Sequence, residues 1–410
     1  MNVRLKYGKS SITLNIPKHK IRGIYLPQFL PGAKSIKKEM LSSLDEIEKV
    51  ITPGKTIAII VDDITRAIPT EQILKYFIPC LRRYGVRLED ICIICATGAH
   101  RGLNKEEIKK LLGRYYGRIE AVNHDCDNDD CLVPIGRTSF GNQVKINKRF
   151  FDSDIKIIIC DTEFHQFCGY GGGAKSILPG IADRRSIEYC HSRLEAEGSE
   201  PGRIDGNTVR EEIEEAGRMA KVDFILNAVL NHKKQIVKIF SGGISEAFIA
   251  GTKLCDRIYK VSIPDRVDTV IISAGGYPKD VNLYQAQKAI ESAIRVVRKG
   301  GKIILFAECR EGHGSEIFHR WMTEEPDLDL IIRKIRQKFV LDAHKAYLIA
   351  RELKWADLYL YSKMEQSLIR KYHINPLENL QEVDSIIADS DGIIILPEAS
   401  MTLPVIRSEI

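Results

Sequence analysis

No apolar run in this 410-residue chain approaches the roughly eighteen residues that a membrane-crossing helix needs, so no membrane role is expected. The opening segment, MNVRLKYGKSSITLNIP, has no apolar core of the secretory kind either. Its polar and apolar residues alternate, which predicts a strand, and the two absences together predict a soluble protein that is not exported, placed in a reducing cytoplasm by its cysteines. Charge of one sign is equally scarce: 61 Lys and Arg stand against 55 Asp and Glu, a formal net charge of +6, with the cations spread along the chain. Without a basic arm or stripe, nucleic acid is not expected as a partner. Low-complexity segments are missing, and so are the standard zinc spacings. His124, Cys126, Asp129 and Cys131 crowd into NHDCDNDDC, but their intervals match no such pattern, and the stretch reads as a polar surface loop. Of the ten cysteines, Cys92, Cys95, Cys160 and Cys309 lie in apolar runs, which predicts reduced, buried thiols. Cys92 and Cys95 form a CxxC inside a predicted strand, where a spacing of three turns the two side chains to opposite faces.

What is present is an alternation of apolar strands and amphipathic helices. KTIAIIVDD, TEQILKYFIPCLRRYG and DICIICATG read as strand, helix and strand, followed by the Asn-capped helix NKEEIKKLLG and the strand IKIIICD. Further along, REEIEEAGRMAKV reads as a helix, DFILNAVLN as a strand and GGISEAFIAGTKLCDRIYK as a connecting helix. A second cycle begins with the strand RVDTVIISAGG and continues through the helix NLYQAQKAIESAIRVVRKGG ending in glycines, the strand KIILFAEC and the closing strand GIIILPEAS. The length and the 44% hydrophobic content exceed one compact core. The expected fold is therefore α/β with two domains, residues 1–265 and 266–400, each built on a largely parallel Rossmann-like sheet. Residues 401–410 are expected to form a tail packing back on the first domain. Ligands of open α/β sheets sit beyond the carboxyl ends of the strands. There lie Asp62, Asp63, Arg66, His100, Arg101, His165, Tyr284, Gln285 and Lys288, which points to an active site in the cleft between domains.

The densest signal is DTEFHQFCGYGGGAKSILPGIADRRSIEYCHS, residues 161–192, where glycines permit close backbone approach to a ligand and Lys175 stands directly beyond them. GYGGGAKS nearly matches a P-loop, with Ala174 where a glycine belongs. A P-loop follows its strand directly, however, and here nine residues, Asp161 to Gly169, carry the chain from IKIIIC to the first glycine of the run, so the context disfavours phosphotransfer. HQFCGYGGGAKSILPG, with His165 ten positions before the lysine and His191 sixteen after it, resembles the signature of the nickel-dependent lactate racemase family. DDITR (62–66), TGAHR (97–101) and GGYPKDVNLYQAQK (275–288) are similar to that family's other blocks in the same order, so the resemblance spans most of the chain.

By that resemblance, Lys175 carries a pyridinium thioamide-thiocarboxylate mononucleotide, the nickel pincer nucleotide, bound covalently through its amine. Gly172 and Gly173 line this cofactor, and His191 completes the nickel coordination. Two sulfurs, a ring carbon and an imidazole make a roughly square-planar set that suits Ni(II). The resemblance also implies a racemase or epimerase of small 2-hydroxy acids that depends on cofactor-synthesising enzymes. Removal of the hydroxyl proton with passage of hydride to the cofactor gives a flat 2-keto acid, and return to the other face inverts the centre. Two mirror-image substrates need two bases, assigned to His100 and His165, whose imidazoles exchange protons near neutrality. Asp63, Arg66, Tyr284, Gln285 and Lys288 fall in the substrate neighbourhood, with Arg66 suited to a two-point carboxylate contact, Lys288 to a point charge, and Asp63 to orienting Arg66 or a histidine. Ala67, Cys168 and Gly171 depart from the residues common in the family and touch the expected pocket, which leaves the choice of hydroxy acid open. The residues also admit a noncatalytic protein of the same fold that binds a nucleotide or small acid.

Overall fold

The computed structural model describes residues 1–44 and 46–409. Two compact units make up the chain: Phe29–Ile258, and a second formed by Met1–Gln28 together with Tyr259–Ile410. The chain opens with an antiparallel hairpin, β1 (Asn2–Tyr7) and β2 (Ser10–Asn15), followed by β3 (Ile21–Ile24). The alternation seen in the sequence is real: Val3, Leu5 and Tyr7 of β1 face inward and pack with Ile271, Ile304 and Phe306. That packing corrects the expected domain limits. The first 28 residues join the C-terminal unit because a two-stranded hairpin must bury its apolar face on something larger, and β3 finds its partner there.

The unit Phe29–Ile258 carries β4 (Ile57–Asp62), β5 (Ile91–Ala96), β6 (Glu120–Asn123), β7 (Leu132–Arg137), β8 (Gln143–Asn147), β9 (Ile155–Asp161), β10 (Phe164–His165), β11 (Gly169–Tyr170), β12 (Phe224–Leu230) and β13 (Ile236–Gly242). Its main sheet runs β13-β12-β9-β4-β5-β6, parallel except for the edge strand β13. β4, β9 and β12 are apolar almost throughout because helices cover both faces of such a sheet. The helix Lys105–Leu112 starts where expected, with Asn104 and Glu107 closing a reciprocal cap.

The second unit adds β14 (Lys260–Ile263), β15 (Val267–Ser273), β16 (Val297–Phe306), β17 (Asp357–Tyr361), β18 (Asn375–Leu377), β19 (Ile393–Leu396) and β20 (Leu403–Ile406). Its sheet, β18-β17-β16-β15-β19-β3, is parallel throughout. The helix expected to run to the glycines after Arg298 stops at Ile294, because Val297 pairs with Val267 and begins β16. The C-terminal tail also differs from expectation: β20 pairs in parallel with β14 and stays in this second unit. No helix among the described residues is long and apolar enough to cross a membrane.

Candidate active site

The sheet order β9-β4-β5 sets three strand ends side by side, and the loops leaving them carry most of the residues expected to do chemistry. Beyond β4 the chain turns tightly, with the Asp63 carboxylate accepting the Thr65 amide at 2.9 Å, an Asx-type turn that fixes the side chain. The other carboxylate oxygen lies 2.9 Å from Nδ1 of His100, which sits in the turn after β5. Burial pushes the Asp63 carboxyl up, but hydrogen bonds from His100 and Thr65 outweigh it and hold it below its ordinary value. With Nδ1 engaged by a carboxylate, the lone pair of the His100 imidazole resides on Nε2, on a side chain about half exposed. Asp63 thus orients a histidine, one of the two roles open to it from the sequence.

Arg66 is ion-paired through Nη1 with Oε1 of Glu163, a residue to which sequence reasoning gave no role. Asp62 and Asp161, at the ends of β4 and β9, stand close by. Burial pushes the Asp62 carboxyl up to about 6, and it pushes Asp161 well above the carboxylate range. Burial would lower the Arg66 pKa, but Glu163, Asp161, Asp62 and Asp63 hold its guanidinium firmly charged.

Between β9 and the glycine run, β10 and β11 form a short hairpin that pairs His165 with Gly169. β9 therefore does not lead into the loop and helix of a P-loop, and the residues after Gly172 form a single 3-10 turn, Gly173–Ser176. The glycines answer to steric need. Gly169 (φ +74°) and Gly172 (φ +82°) are left-handed, and a Cβ would stand 2.0 Å from the Arg203 carbonyl oxygen at the first and 2.6 Å from that of Asp161 at the second. Arg210, fully buried on the helix Thr208–Met219, clamps this loop by donating to the carbonyls of Tyr170 at 3.1 Å and Gly172 at 3.3 Å, its guanidinium stacked 3.6 Å over Phe248. An arginine at a buried position of an amphipathic helix was the only signal of this role in the sequence.

Lys175 is half-buried at the end of that loop. Burial lowers the pKa of its amine, and Arg66 lowers it further. His191, in the last turn of the helix Arg184–Ser192, donates from Nδ1 to the Ile187 carbonyl at 2.8 Å. Burial, helped by the Lys175 charge, takes its pKa down to about 4, so the ring is neutral with its lone pair on Nε2. Phe167 bridges the two remaining imidazoles edge-to-face, 4.7 Å from the His165 ring and 5.2 Å from that of His191. The structure thus gathers Asp63, Arg66, His100, His165, Lys175 and His191 in one unit.

Tyr284, Gln285 and Lys288 share the first turns of the helix Leu283–Ile294 in the other unit. There Gln285 and Lys288 are exposed, while the Tyr284 hydroxyl donates to Asp342 at 2.8 Å. The NHDCDNDDC stretch is less of a surface loop than its composition predicts. His124 is buried, with Nε2 2.9 Å from the Ala182 carbonyl and Nδ1 beside Asn147, so it is a packed structural histidine. Cys95 is buried in the core and Cys92 only half-buried against Arg149.

Two family models match the chain, the lactate racemase N-terminal domain over residues 7–202 and the lactate racemase C-terminal domain over residues 263–399. The lactate racemase of Lactiplantibacillus plantarum is 31% identical, with 93% of each chain covered. The chain belongs to the lactate racemase family. A second family member, the lactate racemase of Thermoanaerobacterium thermosaccharolyticum, is 29% identical over 97% of both chains. The structure of its apoprotein superposes with a TM-score of 0.90 at 28% identity, covering 98% of this chain and 100% of that one. A protein from Thermotoga maritima shares the fold, with a TM-score of 0.68 at 20% identity and coverage of 92% and 100%. Lys175 and His191 fall within the N-terminal lactate racemase domain, and the helix Leu283–Ile294 within the C-terminal one.

Proposed function

We propose that this protein interconverts the stereoisomers of a small 2-hydroxy acid, using a nickel pincer nucleotide tethered to Lys175. One observation carries the reading: a desolvated amine at the end of a glycine loop stands in the same neighbourhood as a neutral imidazole, His191, whose Nδ1 is fixed by a backbone carbonyl. The neutral amine is the form that can be acylated, and an imidazole with one nitrogen held by a carbonyl is the form that ligates a metal through the other. These residues fit such a cofactor, with Gly172 and Gly173 beside it. Bound there, such a group would supply an electrophilic hydride acceptor.

The chain's own residues do the rest. Arg66 binds the substrate carboxylate and fixes its orientation. His100, held by Asp63, takes or returns the 2-hydroxyl proton on one face, and His165 does so for the mirror-image substrate. The cofactor-synthesising enzymes are the partners this scheme requires. The test is mass spectrometry of the tryptic peptide containing Lys175, from protein produced alongside those enzymes, together with loss of optical rotation from enantiopure lactate and other 2-hydroxy acids. A mass addition with racemisation is expected. An unmodified, nickel-free protein under those conditions points instead to a noncatalytic binding module.

A further inference from the structure

The carboxylate on Arg66 has a consequence for what the site accepts. Glu163 lies one residue before β10, and its backbone carbonyl receives the Gly171 amide at 2.7 Å, so it belongs to the same loop as His165 and Lys175. Its side chain crosses to the loop after β4 and ion-pairs with Arg66. Both partners keep a path to solvent, at 25% side-chain exposure for Arg66 and 42% for Glu163, so a dissolved anion can reach the pair. The other carboxylates around the guanidinium, Asp62, Asp63 and Asp161, belong to strand ends or tight turns and are fixed by them. Glu163 instead carries its carboxylate on three rotatable side-chain bonds and is partly exposed.

We propose that Glu163 holds the position on Arg66 that the substrate carboxylate takes, and that an incoming 2-hydroxy acid must displace it. This rests on the reading of Arg66 as the carboxylate clamp. A ligand that brings a carboxylate alone exchanges one ion pair for an equivalent one and gains little. A ligand that also offers a 2-hydroxyl to an imidazole gains a further hydrogen bond and wins the exchange. Glu163 therefore sets an affinity threshold at Arg66: the cost of displacing it is common to every carboxylate, so a plain carboxylate with nothing further to gain stays out at concentrations where a 2-hydroxy acid binds.

The experiment uses protein matured alongside the cofactor-synthesising enzymes, as wild type, Glu163→Gln, Glu163→Asp and Arg66→Ala. KM and kcat are measured for lactate, with inhibition by propionate, which has the same chain without the hydroxyl. Glu163→Gln is expected to lower the propionate inhibition constant and the lactate KM by a similar factor, roughly tenfold, with kcat not raised, since an anionic competitor and its repulsion are both gone. Glu163→Asp, whose carboxylate stops a methylene short of the guanidinium, is expected to lie between Gln and wild type. Constants that stay unchanged or rise in Glu163→Gln overturn the proposal, because Glu163 then supports Arg66 rather than competing for it. Arg66→Ala separates the two levels: an unchanged lactate KM in that variant removes the clamp reading itself, whatever Glu163→Gln shows. The mass of the Lys175 peptide in each variant reports maturation independently of turnover.

Discussion

Two lysines of this protein have depressed amines for the same first reason, burial, and yet have opposite surroundings. Lys345, in the unit that holds both chain ends, is 4% exposed and donates to the Gln287 amide oxygen at 2.8 Å, while the other end of that amide donates to Glu352 at 2.7 Å. Burial takes Lys345 down to about 7, with Lys288 adding to the effect, and takes Glu352 up to about 8. Lys175 donates to no side chain among the described residues, is half-buried rather than sealed, and ends a loop held open by glycines. A shifted amine by itself therefore does not mark a reactive one. The proposed tether Lys175 combines desolvation with an open approach and an unspent hydrogen-bonding capacity, whereas Lys345 spends its protons on the helices it joins.

The comparison breaks most sharply at the lysines themselves. Lys175→Ala is expected to abolish both the mass addition and racemisation, a loss of at least about a thousandfold. Lys345→Met should keep the modified Lys175 and lose stability instead, by about 1–3 kcal/mol in urea unfolding, since Gln287 and Glu352 lose a buried partner. Modification of Lys175 failing in Lys345→Met would erase the distinction. Next in size, His100→Ala and His165→Ala should each lower interconversion by about 10²–10⁴-fold with Lys175 still modified, and full racemisation in either variant would remove its assigned role. Asp63→Asn should reduce kcat by roughly 10–100-fold with little change in KM, because the amide no longer fixes the His100 tautomer. An unchanged kcat would make that contact a packing detail.

The last effect, small per pH unit, concerns pH. The folded-state pKa of Glu352 is raised, so its contribution to stability is fully present below the ordinary value of 4.5 and is lost as pH rises through about 8. Glu352→Gln should therefore gain stability relative to wild type across that window, on the order of 1 kcal/mol per pH unit, in denaturant titrations at stepped pH. A flat difference would show that Glu352 is not the titrating partner of Lys345.

Much of this was legible in the sequence, in specific places. Continuous β-branched runs such as IKIIICD are strands buried on both faces, and Asn104 with Glu107 announces a helix start; both are local signals, and both hold. The glycines before Lys175 could be read as a backbone needing room, because no other residue type tolerates those torsions cheaply. Local signals failed at Val296 and Val297, where helical periodicity ran on toward the glycines and pairing with β15 won. They failed again at His124, whose polar neighbours concealed a buried ring.

By itself, then, the sequence determined where the strands end and which side chains wait there, since strand ends follow from short-range apolar patterning and backbone sterics. Only the tertiary structure decided that the first 28 residues complete the C-terminal sheet, that Glu163 meets Arg66, and that Arg210 holds the glycine loop. Each of those joins segments far apart in the chain, and their meeting depends on the order in which strands pair, which no local pattern encodes.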